Sequence, residues 1–316
     1  MRQFDSAIDH LKSLDRIVTD SDQKTSSPHL FYCHDNGQLW LGDAIEWLKT
    51  LPSESIDLVF SDPPYNLKKA EWDTFESQRS YVEWSMQWIE QVARILKPTG
   101  TFYICGFSEI LADLRLPASQ FFQGCRWIIW HYKNKANLSN DWGRSHESIL
   151  HFRKTKKFTL SVENIRTRYN EHTLKYPEHP QASTSQYSDR GKNDAKLWHP
   201  HPKGAKPRDV IEIPTTCNGM NEKTPHPTQK PEELVRKFVL ASSQRGDRIL
   251  DPFLGSGTTA VVAEQLGRQW LGCDQHAEYL TWAIDRIESA EHRSDEAWFW
   301  HDRDREERRS KIRETS

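Results

Sequence analysis

An α/β fold on a mainly parallel sheet is predicted, and three observations carry it. Short apolar runs alternate with amphipathic helical stretches between Leu39 and Glu288, the pattern of strands joined by crossover helices. Arg248-Ile249-Leu250-Asp251 runs into a Gly-rich turn, Pro252 to Gly257, and continues as Ala260-Val261-Val262-Ala263, which spells strand, turn and helix N-terminus. The next strand, Trp270-Leu271-Gly272-Cys273-Asp274, ends in a carboxylate 23 residues beyond Asp251, where doubly wound sheets place an acid that holds a ligand.

Residues 1–30 are polar and form a weak helix and flexible lead. In Leu39 to Leu51, strand residues give way at Gly42-Asp43 to apolar positions Ile45, Leu48 and Leu51, so Asp43 is placed as the N-cap of a helix. Ile56 to Phe60 is a buried strand that stops at Asp62-Pro63-Pro64-Tyr65-Asn66. Lys68 to Ser80 is a polar loop with Trp72 and Phe75 as anchors, and Trp84, Trp88, Val92 and Leu96 then mark one helix face up to Pro98 and Gly100. Thr101 to Cys105, Arg126 to Tyr132 and Ser148 to Phe152 are further strands. His226 to Pro231 leads into a helix with Leu234, Phe238 and Val239 on one side, and Ala277 to Ile287 is another, for which Asp274 could serve merely as a cap. The charges from residue 291 onward, around Trp298, Phe299 and Trp300, predict a solvated helical or disordered tail.

With 316 residues, 36% of them hydrophobic, the chain can bury one large core. Its net charge of −2 excludes a uniformly basic protein, but the charge is segregated. Between Arg153 and Asp209, thirteen Lys and Arg stand against six Asp and Glu, with Tyr169, Tyr176, Tyr187 and Trp198 among them. Such a segment is either a solvated, poorly ordered insertion or a surface that neutralises phosphates while side chains read base edges. Lys156, Lys157, Arg166 and Arg168 are the candidate nucleic-acid contacts. The domain plan is therefore 31–153, a basic insertion at 154–220, 221–290, and the tail at 291–316. Five scattered cysteines with no CxxC pair indicate neither a disulfide framework nor a metal site, and are placed as buried small hydrophobes. No apolar run reaches membrane-spanning length and no signal-peptide core is present, so a cytoplasmic protein is expected. The Gly-rich turn lacks the Gly-Lys-Ser/Thr of a nucleoside-triphosphate P-loop.

Chemistry concentrates at Asp62-Pro63-Pro64-Tyr65. Two prolines remove two backbone donors and keep their carbonyls, so acceptors dominate the corner. Beside them, Tyr65 offers a flat face on which a planar group can stack. The arrangement suits an exocyclic NH2 on a base, although Asp-Pro and Pro-Pro also form plain turns.

Taken together, Asp62-Pro63-Pro64-Tyr65 and Asp251-Pro252-Phe253-Leu254-Gly255-Ser256-Gly257-Thr258-Thr259 resemble the amino-methyltransferases of DNA that use S-adenosyl-L-methionine. The order is corner, basic middle, then glycine turn, similar to the circularly permuted β group of that family. The resemblance implies a Rossmann-like methyltransferase fold with a seven-stranded, mainly parallel sheet in which one strand runs antiparallel. It also implies that the basic middle recognises the target in double-stranded DNA. By position, Asp251, Phe253, Gly255, Ser256, Gly257 and Thr258 would line the cofactor site. Asp274 would meet its ribose, Asp43 its adenine, and Thr228 and Lys230 would lie near its methionine end. Asp62 would belong to both sites, so the corner and the glycine turn should share one pocket. An Asp at the first corner position resembles the adenine-N6 enzymes more than the cytosine-N4 enzymes, which remain the alternative. A methyltransferase of RNA or of a protein amide, or a DNA-binding protein without catalysis, are the rivals. A partner restriction endonuclease and a homodimer are possible partners, and no metal is expected.

Overall fold

A nine-stranded mixed sheet forms the centre of the computed structural model, which describes residues 27–67, 73–133, 142–177, 179–180 and 197–314. The chain divides into two units, Met1–Leu160 with Asp209–Ser294, and Ser161–Arg208 with Asp295–Ser316. Most of the predicted N-terminal lead, the anchor Trp72, and Tyr187, Arg190, Lys192 and Lys196 of the basic middle lie outside the described residues.

In chain order the first unit contains β1 (His29–His34), β2 (Gly37–Leu41), α1 (Ala44–Thr50), β3 (Ile56–Ser61), α2 (Gln78–Ile95), β4 (Leu96–Gly106), α3 (Ser108–Ala118), β5 (Gly124–His131) and β6 (His146–Arg153). The second unit follows with α4 (Glu171–Lys175), β7 (His179–Pro180) and β8 (Leu197–Trp198). The first unit resumes with β9 (Val210–Glu212), α5 (Glu232–Ser242), β10 (Arg248–Asp251), α6 (Thr258–Gln265), β11 (Gln269–Asp274) and α7 (Ala277–Glu288), and α8 (Asp295–Glu314) returns to the second.

The sheet order is β1-β2-β11-β10-β3-β4-β6-β5-β9. Strands β2, β11, β10, β3 and β4 pair in parallel, β6 is antiparallel to both neighbours, β9 joins β5 in parallel, and β1 is antiparallel to β2. The expected count of seven is thus corrected to nine, with two strands opposed rather than one. Both additions are edges. β1 is the first arm of a tight hairpin in which His34 pairs with Gly37, and β9 has three residues, too few to show a period.

Strand β3 lies beside β10, with Leu58 opposite Ile249 and Val59 opposite Leu250. From β10 the chain moves through α6 to β11 on one side, and from β3 through α2 to β4 on the other. A crevice opens at the carboxyl ends where connections diverge in this way. It lies between Asp62 and Asp251.

Alternation along β3 and β4 sends neighbouring side chains to opposite layers. Val59, Phe102 and Ile104 pack with Trp88, Ile89 and Val92 of α2, whereas Phe60 and Tyr103 meet Phe238 of α5 at ring separations of 6.0 and 4.6 Å. Each fully buried apolar side chain of this kind contributes roughly 1.5–3 kcal/mol. Helix α2 begins earlier than its apolar face suggests, because Ser77 and Ser80 form a reciprocal capping box. Phe75 anchors the preceding loop against Tyr81 and Trp84, with ring centroids 5.1 and 5.0 Å apart.

In the second unit, Thr167 and Ala205 exchange backbone hydrogen bonds of 2.9 and 2.8 Å. The tail contains the helix α8, the helical of the two expected forms, and most of it is solvated, but Trp298 and Phe299 are buried on it: two adjacent apolar rings give an otherwise charged helix something to bury. The Lys203 ammonium lies 5.7 Å from the Phe299 ring centroid. All five cysteines are unpaired, but Cys33 and Cys217 are exposed, so burial holds for Cys105 and Cys273 and only partly for Cys125.

Candidate active site

The end of β3 is braced from several directions. Tyr81 donates its hydroxyl hydrogen to the Pro64 carbonyl at 2.8 Å. The Asp73 carboxylate, itself buried, accepts the backbone N–H of Tyr65 at 2.6 Å and of Leu67 at 3.0 Å. Asn66 sits at φ +58°, where Asn is tolerated better than most residues, and its side-chain oxygen accepts from the Phe75 N–H at 2.9 Å.

Lys230 donates to Asp62 Oδ2 at 2.6 Å and Tyr65 donates to Asp62 Oδ1 at 2.5 Å. A second carboxylate, Glu147 on β6, has its Oε2 3.4 Å from the Lys230 ammonium and 3.2 Å from the Tyr65 hydroxyl. Burial works against the Lys230 charge, but Asp62 and Glu147 outweigh it and hold its pKa above the ordinary lysine value. Burial, reinforced by the Asp62 and Glu147 charges, keeps the Tyr65 phenol protonated well above its usual pKa. The Tyr65 ring meets Phe107 edge-on at 5.2 Å, and the Arg144 guanidinium covers the Phe107 ring at 3.6 Å.

Across the crevice, Asp251 accepts from the Phe253 N–H at 3.0 Å and the Thr259 hydroxyl at 2.6 Å. Asp274 accepts from the Gly255 N–H at 2.8 Å and the His276 N–H at 2.9 Å, which ties the end of β11 to the glycine turn. Gly255 and Gly257 adopt φ of +53° and +82°, and a Cβ on Gly257 would lie 2.4 Å from that of Ala283 on α7. Glycine there lets α6 and α7 touch. Arg286 reaches back from α7 to the Ser256 carbonyl at 2.7 Å, the Ser256 hydroxyl at 3.3 Å, the Thr258 hydroxyl at 3.1 Å and Glu232 at 2.8 Å. Thr258 also donates to the Lys230 carbonyl at 3.2 Å, so these hydroxyls brace the turn and connect it to the lysine that reaches Asp62 of the other half.

Burial pushes the Asp251 carboxyl up to about 7 from an ordinary 3.8. The folded chain therefore binds more protons at this site than the unfolded chain between pH 4 and 7, and stability from this group falls as pH rises through that window. Asp251→Asn removes the titration. In thermal melts, the midpoint of this variant relative to the wild type is expected to improve from pH 5 to pH 8; a difference that stays constant would show that Asp251 does not titrate there.

A cavity of about 1520 Å³ joins the two halves, lined by Asp62, Pro63, Pro64, Tyr65, Glu147, Thr228, Lys230, Asp251, Phe253, Gly255, Ser256, Thr258 and Asp274. The corner and the glycine turn thus share one pocket. Asp43 and Gly257 do not line it. Asp43 caps α1, accepting from the Ile45 and Glu46 N–H groups at 2.9 and 3.0 Å, while its neighbours Gly42 and Ala44 reach the wall. The donors and acids on the glycine-turn side, with room beyond, fit a nucleoside-bearing cofactor.

Glu147, His226 and Tyr279 also line the wall and were not singled out from sequence as site residues. Glu147 carried only a faint signal, as a carboxylate just before the run Ser148 to Phe152. His226, whose pKa burial lowers to about 4, and Tyr279, 4.6 Å away ring to ring, carried none, because their meeting depends on tertiary placement. The four basic candidates are divided. Lys156 and Lys157 are exposed in the first unit. Arg166 and Arg168 belong to the second, where the side chain of Arg166 is 9% exposed, pairs with Glu163 at 2.7 Å and donates to the Gly204 carbonyl at 2.9 Å.

Fold and cavity define an α/β group-transfer enzyme in which a nucleotide-type turn faces an acceptor corner. Residues 56–285 match the family model of the N6/N4 DNA methylases, and the chain belongs to that family. It is 36% identical over 262 residues to the type II methyltransferase M.HpaI of Haemophilus parainfluenzae, covering 80% of this chain and 74% of that protein. It is 33% identical to the DNA adenine methyltransferase YhdJ of Escherichia coli K12, covering 81% and 84%. Among solved structures, the cytosine-N4-specific PvuII DNA methyltransferase superposes with a TM-score of 0.61 at 20% identity, covering 86% of this chain and 93% of that one. A DNA modification methylase of Thermus thermophilus in complex with S-adenosyl-L-methionine superposes at 0.53 with 21% identity, covering 79% and 92%.

Proposed function

We propose that this protein methylates the N6 amine of adenine at a specific site in double-stranded DNA, with S-adenosyl-L-methionine as donor. The observation that carries the proposal is the shared cavity, in which Asp62 faces the turn around Asp251, Gly255 and Asp274. Its volume of about 1520 Å³ exceeds the ~300–1,000 Å³ of ordinary small-molecule pockets and gives room for a cofactor and an extruded base together. S-adenosyl-L-methionine supplies an electrophilic methyl on a positively charged sulfur when bound.

The protein's task is to make a poor nucleophile attack. An exocyclic amine delocalises its lone pair into the ring. Asp62 and the Pro63 carbonyl accept its two N–H bonds, which favours a pyramidal nitrogen whose lone pair points across the cavity. These acceptors bind more strongly as positive charge develops on nitrogen, so they stabilise the transition state over the ground state. Asp274, Asp251 and the glycine turn hold the cofactor side, with Thr228 and Lys230 nearer the reacting end, and fixed placement supplies the proximity. The Tyr65 ring stacks on the base once it leaves the duplex.

Adenine is favoured by the Asp at the first corner position and by similarity to YhdJ, an adenine methyltransferase; cytosine N4 is the alternative. Similarity to type II methyltransferases supports a role beside a restriction endonuclease. Mass spectrometry of nucleosides from DNA incubated with the protein and methyl-labelled cofactor is expected to find labelled N6-methyladenine. Labelled N4-methylcytosine alone would reverse the choice of base, and label in neither would remove DNA as substrate.

Exposed Lys156 and Lys157 are assigned to DNA phosphates. Replacing both by Ala is expected to lower DNA affinity and flatten its log–log salt dependence by about two counterions. An unchanged slope in binding titrations would remove them from the interface.

A further inference from the structure

Asp62 cannot offer both its oxygens to an incoming amine without disturbing donors that already hold them. Oδ2 carries the Lys230 ammonium at 2.6 Å and Oδ1 carries the Tyr65 hydroxyl at 2.5 Å. Lys230 is buried and Tyr65 partly buried, and a donor shielded from water that loses its acceptor bears a desolvation cost. Glu147 changes this balance. Its Oε2 lies 3.2 Å from the same Tyr65 hydroxyl, so rotation about the C–O bond turns the hydrogen from one carboxylate towards the other with little movement of the ring. The ammonium is the less movable donor. It bears a full charge, its side chain is 8% exposed, and it is closer to Asp62 than to Glu147, at 2.6 against 3.4 Å.

We propose that Glu147 is a positioning residue that receives the Tyr65 hydroxyl and thereby frees Asp62 Oδ1 for the amine of the target base, while Lys230 stays on Oδ2. This rests on the amino-methyltransferase reading above. Before the base arrives, the phenol keeps Oδ1 satisfied; on arrival the N–H replaces the O–H at Asp62 and the O–H turns to Glu147. No bond other than hydrogen bonds is made or broken in the exchange. The placement also accounts for a second carboxylate beside Asp62: among the described residues, its side-chain hydrogen bond and ion pair go to the two donors that Asp62 already holds.

The test is a double-mutant cycle on the full chain with DNA and methyl-labelled S-adenosyl-L-methionine. Glu147→Leu removes the receiving acceptor and is expected to lower the single-turnover methylation rate about tenfold, with cofactor affinity within about twofold of wild type. Glu147→Gln retains an acceptor oxygen and is expected to recover most of that loss. In a Tyr65→Phe background no hydroxyl needs a new partner, so Glu147→Leu should then cost less than about twofold. Equal costs in the two backgrounds, or no cost in the wild-type background, would overturn the proposal and assign Glu147 to Lys230 or to the fold alone. If Glu147→Leu does not give a cooperative thermal transition, Glu147→Ala in the same two backgrounds reads the same coupling. Failure of the wild type to label DNA would instead sink the amino-methyltransferase reading, so the two failures are distinguishable.

Discussion

Asp62→Ala is expected to reduce methyl transfer to DNA by at least 10²–10³-fold, on the order of the loss for one preorganised transition-state contact, while binding of S-adenosyl-L-methionine persists. The variant should fold because Lys230, the buried cation that Asp62 holds at 2.6 Å, keeps Glu147 at 3.4 Å as a second counter-charge. Removing the sole partner of a buried ion is strongly destabilising, and here one partner survives. Cofactor binding persists because Asp251, Asp274 and the glycine turn stand on β10 and β11 and make no hydrogen bond to Asp62. Single-turnover labelling and equilibrium cofactor binding check the two halves separately. A rate within tenfold of wild type would take Asp62 out of the reaction.

Gly257→Val is expected to have the largest effect on the cofactor half. At φ +82° a β-branched residue is a steric outlier. Its Cβ would also lie 2.4 Å from the Ala283 Cβ and 2.9 Å from the Ala283 Cα, and a backbone atom cannot rotate away. Helix α6 must then shift from α7, taking with it the turn whose Gly255 N–H is held by Asp274. Backbone strain and overpacking together should cost about 3 kcal/mol or more, read as a lower unfolding midpoint, and cofactor affinity should fall more than about tenfold. Gly219→Ala is the control. Gly219 has φ +91° with nothing near its missing Cβ, so strain alone, about 1–2 kcal/mol, is expected. If Gly257→Val behaved like this control, the close contact of α6 with α7 would not be what requires glycine.

Much of this site was legible before any coordinates. The carboxylate and two prolines at the end of β3, and the glycines and acids at the ends of β10 and β11, announce themselves because special backbone conformations and buried charges demand particular residue types. The helices were legible from apolar spacing, as with Trp84, Trp88 and Val92. The edge strands were not, since β9 has three residues and β1 is paired on one side only. Nor was the division of the basic segment, where Arg166 turns inward to Glu163 and Gly204: a count of charges does not say which are already neutralised. The buried side of α8 was not legible because Trp298, Phe299 and Trp300 form one consecutive block within a charged stretch and show no period.

The sequence by itself determined the chemical inventory: an acceptor corner, a glycine turn backed by two carboxylates, and the order in which they come. Local chemistry suffices for that, because proline, glycine and aspartate report on the backbone that surrounds them. Only the tertiary structure decided that Lys230 and Glu147 converge on Asp62 and Tyr65, and that Arg286 ties the glycine turn to Glu232. Those groups come from β3, β6, α7 and the segment before α5, and the pairing of β3 with β10 and of β6 with β4, which no local signal encodes, brings their side chains within hydrogen-bonding distance.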